Sequence, residues 1–404
     1  MKILVISDLH AISAAPANGV SPSFISFSSP RRTASNDPLI GLRDLLKNGK
    51  VEPPDVLICA GDLADRADSQ ATEHVWRELM AVRDENNISH LLATCGNHDL
   101  DSRHKQNKFD PRGFLKALEP PFPTPGAKKH EAIHLEYWAN NFSIIEDANW
   151  RLLNINSCAY HGYGESSEPE LLHGRISDYT LDAIEARLGE VVSASPQKTN
   201  ICLFHHHLRD VSSDEFEDKS TMKGANRLIK LLSKANLGEW FVLHGHRHRS
   251  DLYCAGGNSA PIVLSCASFS ATRTGDENNP CPNQFYVIDL DTSQTVGFSK
   301  VKGTIQAWNW TPGTGWQSDA SIPGGLPIKT GFGYRGDLHA FSDRLCEAVN
   351  ADGRVTWQDA LARFSELQYF MPSDLEALNG ILSLRPEIVL SLEGTRIREL
   401  VRNA

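Results

Sequence analysis

The stretch His90-Leu91-Leu92-Ala93-Thr94-Cys95-Gly96-Asn97-His98-Asp99 turns from apolar to polar within ten residues. The same break recurs where Lys2 to Ser7 meets Asp8-Leu9-His10 and where Asp55 to Ala60 meets Gly61-Asp62. It returns where Asn200 to Phe204 meets His205-His206-His207, and where Trp240 to Leu243 meets His244-Gly245-His246-Arg247-His248. Short apolar runs rich in Val, Ile, Leu and Phe, halted by Gly or charge, read as buried strands. Each of these strands would hand its polar residues to a common rim.

Between the strands, Leu39 to Leu46 and Ala71 to Asn86 carry helical periodicity, so the first 250 residues read as α/β. Two long polar segments interrupt the alternation, residues 11–37 leaving from His10 and residues 100–130 leaving from Asp99. Both are candidates to overhang the rim. Beyond residue 250 the texture is β, and Trp308, Trp310 and Trp316 read as packing a hairpin. The Pro and Gly content of Ile322 to Gly333 marks a linker. The expected division is therefore a catalytic domain over 1–319, a linker over 320–335 and a small, mainly helical module over 336–404. Three short helices and a terminal hairpin make that module winged-helix-like.

With 40 Lys and Arg against 50 Asp and Glu, the formal net charge of -10 opposes non-specific attraction to phosphate backbones. Residues 335–404 hold 8 Arg, no Lys and 11 acidic residues, which favours a protein partner over nucleic acid for the module. Local basic pockets remain candidates at Arg31-Arg32, at Arg103-His104-Lys105 with Lys108, at Lys128-Lys129-His130 and at Arg247 with Arg249. For the first three, a charged surface loop is the plainer reading. No run approaches the roughly 20 apolar residues of a membrane span, and no signal-like segment precedes the first strand. The 8 scattered cysteines read as reduced thiols of a cytoplasmic protein, with Cys254 and Cys266 the pair placed to meet across a hairpin.

Asp8 and His10 lie two apart, as do His246 and His248, so each pair can leave one face of an extended segment. Asp62 offers a carboxylate able to bridge, Asn97 an amide oxygen, and the triple-His run a further imidazole. This set of nitrogen and oxygen donors without thiolate suits Mn, Fe, Zn, Ni or Co. Asp8, His10, Asp62, Asn97, His205, His246 and His248 are too many for one such ion and about right for two. A pair of divalent ions promotes in-line attack on phosphorus. His98, next to a ligand, is placed to serve the leaving oxygen, and Asp99 to orient it. His205 follows its apolar run directly and is read as a ligand ahead of His206. His206, His207 and Arg247 are the candidate substrate-binding side chains.

The order Asp8-x-His10, Gly61-Asp62, Gly96-Asn97-His98-Asp99, His205, Gly245-His246-x-His248 resembles the calcineurin-like metallophosphoesterase superfamily. Together with Leu171-Leu172-His173-Gly174, it is most similar to the cyclic-nucleotide and glycerophosphodiester branch. The resemblance implies two mixed β-sheets packed as a sandwich and flanked by helices. It also implies one metal on Asp8, His10, Asp62 and His248, and another on Asp62, Asn97, His205 and His246. The activity implied is hydrolysis of a phosphodiester, a cyclic nucleotide or small diester, by a metal-bridging hydroxide. A metal-dependent DNA or RNA nuclease and a scaffolding protein on the same fold are the alternatives.

Overall fold

The computed structural model describes every residue except 18, 127, 129, 130, 166, 211–217, 258, 259, 273, 274, 277, 278, 292, 294–296, 320, 394, 395 and 404. Two of the three residues of the Lys128-Lys129-His130 patch thus lie outside the described residues. All five apolar runs are strands: Lys2–Ile6 (β1), Val56–Cys59 (β2), His90–Ala93 (β3), and, after Phe142–Glu146 (β4) and Trp150–Ile155 (β5), Thr199–Leu203 (β6) and Trp240–His244 (β7). They fall into two mixed sheets.

In the first sheet β1, β2 and β3 run parallel. The sheet continues past β1 through Gln284–Asp291, Phe298–Thr311 and Gly315–Gln317. In the second, β5, β6 and β7 run parallel with Ile262–Ser265, and β4 and Asp251–Cys254 close the edges antiparallel. Parallel strands need covering on both faces, which is why β1 is a continuous apolar run instead of an alternating one. Leu4 and Ile6 pack with Leu39 and Leu42 of helix Pro38–Lys47 and with Val75, Trp76 and Leu79 of helix Ser69–Glu85. Ile3 and Val5 point the other way and are equally buried.

The helices begin where the sequence supplies caps. Asp37 accepts from the Leu39 and Ile40 amides at 2.9 and 3.2 Å, with Pro38 in the first turn. The second sheet sets Leu153, Cys202, Phe204 and Val242 against Leu181, Ile184 and Leu188 of helix Asp178–Ala194. Polar ties join the sheets: Asn154 donates to the Ala93 carbonyl at 2.7 Å, and Thr94 donates to that of Ile155 at 3.0 Å. The parallel strands of both sheets therefore end near one another.

Trp310 and Trp316 face each other in register across their hairpin, and both are buried with Trp308 in the first core. Cys254 pairs with Ile262, not with Cys266, and all eight cysteines are free thiols.

The chain divides into two compact units, Met1–Ile288 with Gln306–Ile328, and Asp289–Ile305 with Lys329–Ala404. The second unit carries helices Leu338–Asp352, Trp357–Arg363 and Pro372–Ser383 and the antiparallel strands Arg354–Thr356, Ile388–Glu393 and Arg396–Arg402. Helix, strand, two helices and a hairpin is the winged-helix order. Phe341, Leu345, Val349, Leu378, Leu382 and Leu400 form its core. Part of the segment read as linker is ordered instead, for Lys329–Tyr334 is a strand. Its glycines serve close approach: a Cβ on Gly331 would strike the backbone carbonyl of Gln368, while the Gly331 amide donates to the Phe370 carbonyl at 3.1 Å.

Candidate metal centre

The loops that leave β1, β2, β3, β6 and β7 bring all seven expected ligands together. On one side, His10 Nε2 lies 2.9 Å from His248 Nε2 and 3.6 Å from Asp62 Oδ2, and His248 Nε2 lies 3.4 Å from Asp8 Oδ1. On the other, Asn97 Oδ1 lies 3.0 Å from His205 Nε2 and 2.9 Å from His246 Nδ1, and His205 Nε2 lies 3.3 Å from Asp62 Oδ2. Asp62 is common to both groups. Donor atoms bound at about 2.1 Å to one ion sit roughly 3.0 Å apart at octahedral angles and 3.4 Å apart at tetrahedral ones. The donor pairs here lie 2.9 to 3.9 Å apart, close to that spacing, and they include buried carboxylates and imidazoles but no thiolate. The residues fit divalent metal ions.

Backbone strain accompanies this convergence. Asp8, His10, Asp62, His246 and His248 have φ of 54°, 48°, 54°, 81° and 56°, the left-handed region that side chains with a Cβ seldom enter. Each such residue costs about 1–2 kcal/mol, and the surroundings must over-determine it. They do so with a mesh of short bonds. The Asp8 amide donates to the Gly61 carbonyl at 3.0 Å, the Leu9 and His10 amides to that of Asp62 at 2.8 and 3.0 Å, and the His246 amide to Asp8 Oδ1 at 3.1 Å. Gly96 is required by proximity, since a Cβ there would overlap the Asp62 carboxylate.

Burial shapes the charges. It works against the Asp62 carboxylate, yet His205, His98 and His10 around it hold its pKa well below the usual range. Burial likewise opposes protonation of His205, but Asp62 outweighs it and lifts the imidazole to about 10. His10 goes the other way, to about 4, because burial dominates the pull of Asp62. His205 Nδ1 lies 2.8 Å from the Ala60 carbonyl, which turns Nε2 toward Asp62 and Asn97.

The structure corrects the expected role of Asp99. Its carboxylate does not meet His98; it accepts from the amides of Asp62, Leu63, Ala64 and Gly96 at 2.9, 2.7, 3.3 and 2.8 Å and so shapes the loops that carry Asp62 and Asn97. The partner of His98 is Asp65, whose Oδ1 lies 2.8 Å from His98 Nδ1. Burial tends to lower the His98 pKa, but Asp62 and Asp65 prevail and raise it. The spacing of Asp65, three residues after Asp62, was the only available clue in the sequence, and it is a weak one.

Among the described residues, clefts open on this centre on two sides. One, of about 350 Å3, is lined by His10, Asp62, Asn97, His98, His246 and His248, with Val20, Ser21 and Pro22 of the 11–37 segment at its edge. The second, of about 380 Å3, shares Arg66, Asn97 and His98 with the first and runs along residues 100–105 of the other insertion. His206, His207 and Arg247 line neither cleft. His206 is buried with Nδ1 2.9 Å from Ser157 Oγ, and His207 Nε2 lies 2.5 Å from Asp218 Oδ2. Both imidazoles are buried, and Ser157 and Asp218 each take one of their ring nitrogens.

A family model described as calcineurin-like phosphoesterase matches residues 1–250, and one named for a winged helix-turn-helix associated with calcineurin-like proteins matches residues 330–384. The chain belongs to the calcineurin-like phosphoesterases, which are metal-dependent hydrolases of phosphate esters. No curated protein matches it. Among solved structures, it is similar to a dimetal phosphatase from Danio rerio at 13% identity and a TM-score of 0.48, over 78% of this chain and 97% of that one. A purple acid phosphatase from yellow lupin (Lupinus luteus) seeds aligns at 12% identity and a TM-score of 0.47, over 82% of this chain and 53% of that one. Among the described residues, no helix is long and apolar enough to cross a membrane.

Proposed function

We propose that this chain hydrolyses a small phosphodiester at two divalent metal ions. Asp8, His10, Asp62 and His248 would hold one ion and Asp62, Asn97, His205 and His246 the other, with the Asp62 carboxylate available to both. When bound, such ions lower the pKa of water toward neutrality and neutralise charge on phosphoryl oxygens. The chain's own residues supply the rest. Asp99 fixes the loops bearing Asp62 and Asn97, and Asp65 holds His98 by Nδ1. Nε2 of His98 is then left to hold a proton for the departing ester oxygen.

The observation that carries the diester reading is the pair of clefts meeting at Asn97 and His98. A diester has two substituents on phosphorus, and each cleft receives one. A monoester would leave the second empty of ligand contacts.

The test is to strip the protein of metal, reload it with Mn, Fe, Zn, Ni or Co, and compare bis-aryl with mono-aryl phosphate, together with cyclic nucleotides. Faster turnover of the bis-aryl ester is expected. Preference for the mono-aryl ester overturns the diester reading. For the winged-helix-like unit, its acidic balance supports a protein partner, which pull-down with and without residues 336–404 examines. Reduced thiols remain in keeping with a cytoplasmic protein.

A further inference from the structure

We infer that the cleft along residues 100–105 is a second-phosphate site: Arg66, Arg103 and Lys105 receive a dianionic group carried by one ester arm of a small diester. The inference rests on the diester reading above and names the kind of substrate it applies to.

The charge distribution supplies the first argument. In a chain of net charge -10, this cleft gathers Arg66, Arg103 and Lys105, and among the described residues that line it Asp101 is the one acid. The Asp101 carboxylate is already occupied, accepting from the amides of Lys105, Gln106 and Asn107 at 2.9, 2.6 and 2.7 Å. Arg66 stands 3.6 Å from Asp65, but neither Arg103 nor Lys105 forms an ion pair among the described residues. A surface loop that merely needed solubility would not concentrate one sign of charge in a concavity.

Rigidity supplies the second argument. Asp101 winds the loop around itself through those three amides. The loop is then pinned from outside, with Gln106 donating to the Ala67 carbonyl at 2.8 Å and His104 Nε2 lying 2.7 Å from the Gly162 carbonyl. Arg103 and Lys105 therefore project from an ordered frame, so a bound anion orders little more than their side chains.

Location supplies the third. The cleft shares Asn97 and His98 with the metal-facing cleft, so a group resting there belongs to the molecule whose phosphate reaches the metals. Guanidinium and ammonium groups together match a phosphate better than a carboxylate, which has fewer acceptor oxygens and less charge. The limited volume fits a small molecule better than a polymer backbone.

The experiment uses the full-length, metal-loaded protein and an Arg103→Ala/Lys105→Ala double variant. Arg66 is kept, because its neighbour Asp65 also holds His98. Both substituted side chains are exposed, so the fold should be retained; circular dichroism and metal content verify this. Calorimetry compares thymidine 3′,5′-bisphosphate with thymidine 5′-monophosphate, two probes that differ by one phosphate. The wild-type protein should prefer the bisphosphate by about tenfold or more, the scale of one charge-assisted contact. The double variant should reduce that ratio at least about threefold. A smaller wild-type preference, or one that survives both substitutions, overturns the inference. Turnover of thymidine 5′-(p-nitrophenyl phosphate) and its 3′-phosphorylated counterpart, with cleavage at either ester bond resolved by chromatography, should show the same ratio in kcat/KM. If no diester is turned over while the binding ratio holds, the diester reading fails and the second-phosphate site stands. A thymidylate octamer binding more than about tenfold tighter than the bisphosphate would assign the site to a polynucleotide and overturn the small-molecule part.

Discussion

The strand-end rim and the winged-helix-like unit of this chain are built by opposite rules. At the rim, residues with a Cβ sit at positive φ, carboxylates are fully buried and imidazoles crowd one another within hydrogen-bonding distance. In the second unit, Thr356 and Asp359 cap each other reciprocally at a helix start, Gly353 takes the left-handed position after helix Leu338–Asp352, and the core is apolar. One region obeys local preference; the other overrides it. Local violations that persist are maintained by their surroundings, and they mark where function constrains the fold.

If that contrast holds, substitutions of the expected ligands at the rim act on chemistry and metal content, and those in the core and caps of the second unit on stability without changing turnover. The largest effect belongs to Asp62. Asp62→Asn keeps the shape but removes the shared charge, so metal bound per chain should fall and turnover should drop by at least about 10^3-fold. Elemental analysis alongside steady-state kinetics checks both. A variant that retains two ions and near-normal turnover would remove Asp62 from the bridge.

Asp99 separates a structural role from a catalytic one. Asp99→Ala strands four buried amide donors, and a destabilisation of at least about 3 kcal/mol is expected by denaturant unfolding. Asp65→Asn should instead leave unfolding nearly untouched and lower kcat about 10- to 100-fold at constant metal content, as loss of a group that orients an active imidazole does. The reverse pattern would restore Asp99 as the partner of His98.

These two aspartates also show what a sequence can and cannot reveal. The five strand ends were legible because an apolar run stopped by Gly or charge has few readings, and ligand types in fixed order compound the signal. Asp99 and Asp65 were not separable, because which carboxylate meets His98 depends on how the loops after β2 and β3 fold over each other. The surroundings of His206 and His207 were hidden for a related reason. Consecutive residues after a strand diverge, and these two imidazoles meet different partners, Ser157 lying 49 residues before His206 and Asp218 lying 11 residues after His207. The segment Lys329–Tyr334 was read as linker because glycine signals both flexibility and close backbone packing, and composition alone cannot distinguish them.

In the second unit the expected effects are smaller. Thr356→Ala removes the hydroxyl that accepts from the Asp359 amide at 3.1 Å and should cost about 1 kcal/mol of stability. Turnover of a bis-aryl phosphate should not change. A loss of turnover without a loss of stability would mean that the second unit takes part in the chemistry, and the contrast drawn above would fail.

The smallest effect is a pH dependence at Asp291. Partial burial disfavours its charge, but the hydrogen bond from the Tyr369 hydroxyl, the Ser293 amide at 2.8 Å and the Lys302 ammonium at 3.7 Å prevail, and the carboxyl is lowered to about 2. A carboxyl whose folded pKa lies below its unfolded value stabilises the fold fully above the unfolded value, near 3.8, and loses that contribution as pH falls through about 2. Asp291→Asn should therefore lower Tm slightly at pH 6, by less than the cap substitution because the site is largely solvated. The gap between variant and wild type should close as the pH is brought from about 4 toward 2. A gap that persists unchanged to the acid end would show that Asp291 acts through its shape and neutral hydrogen bonds, and electrostatics would then distinguish only the rim.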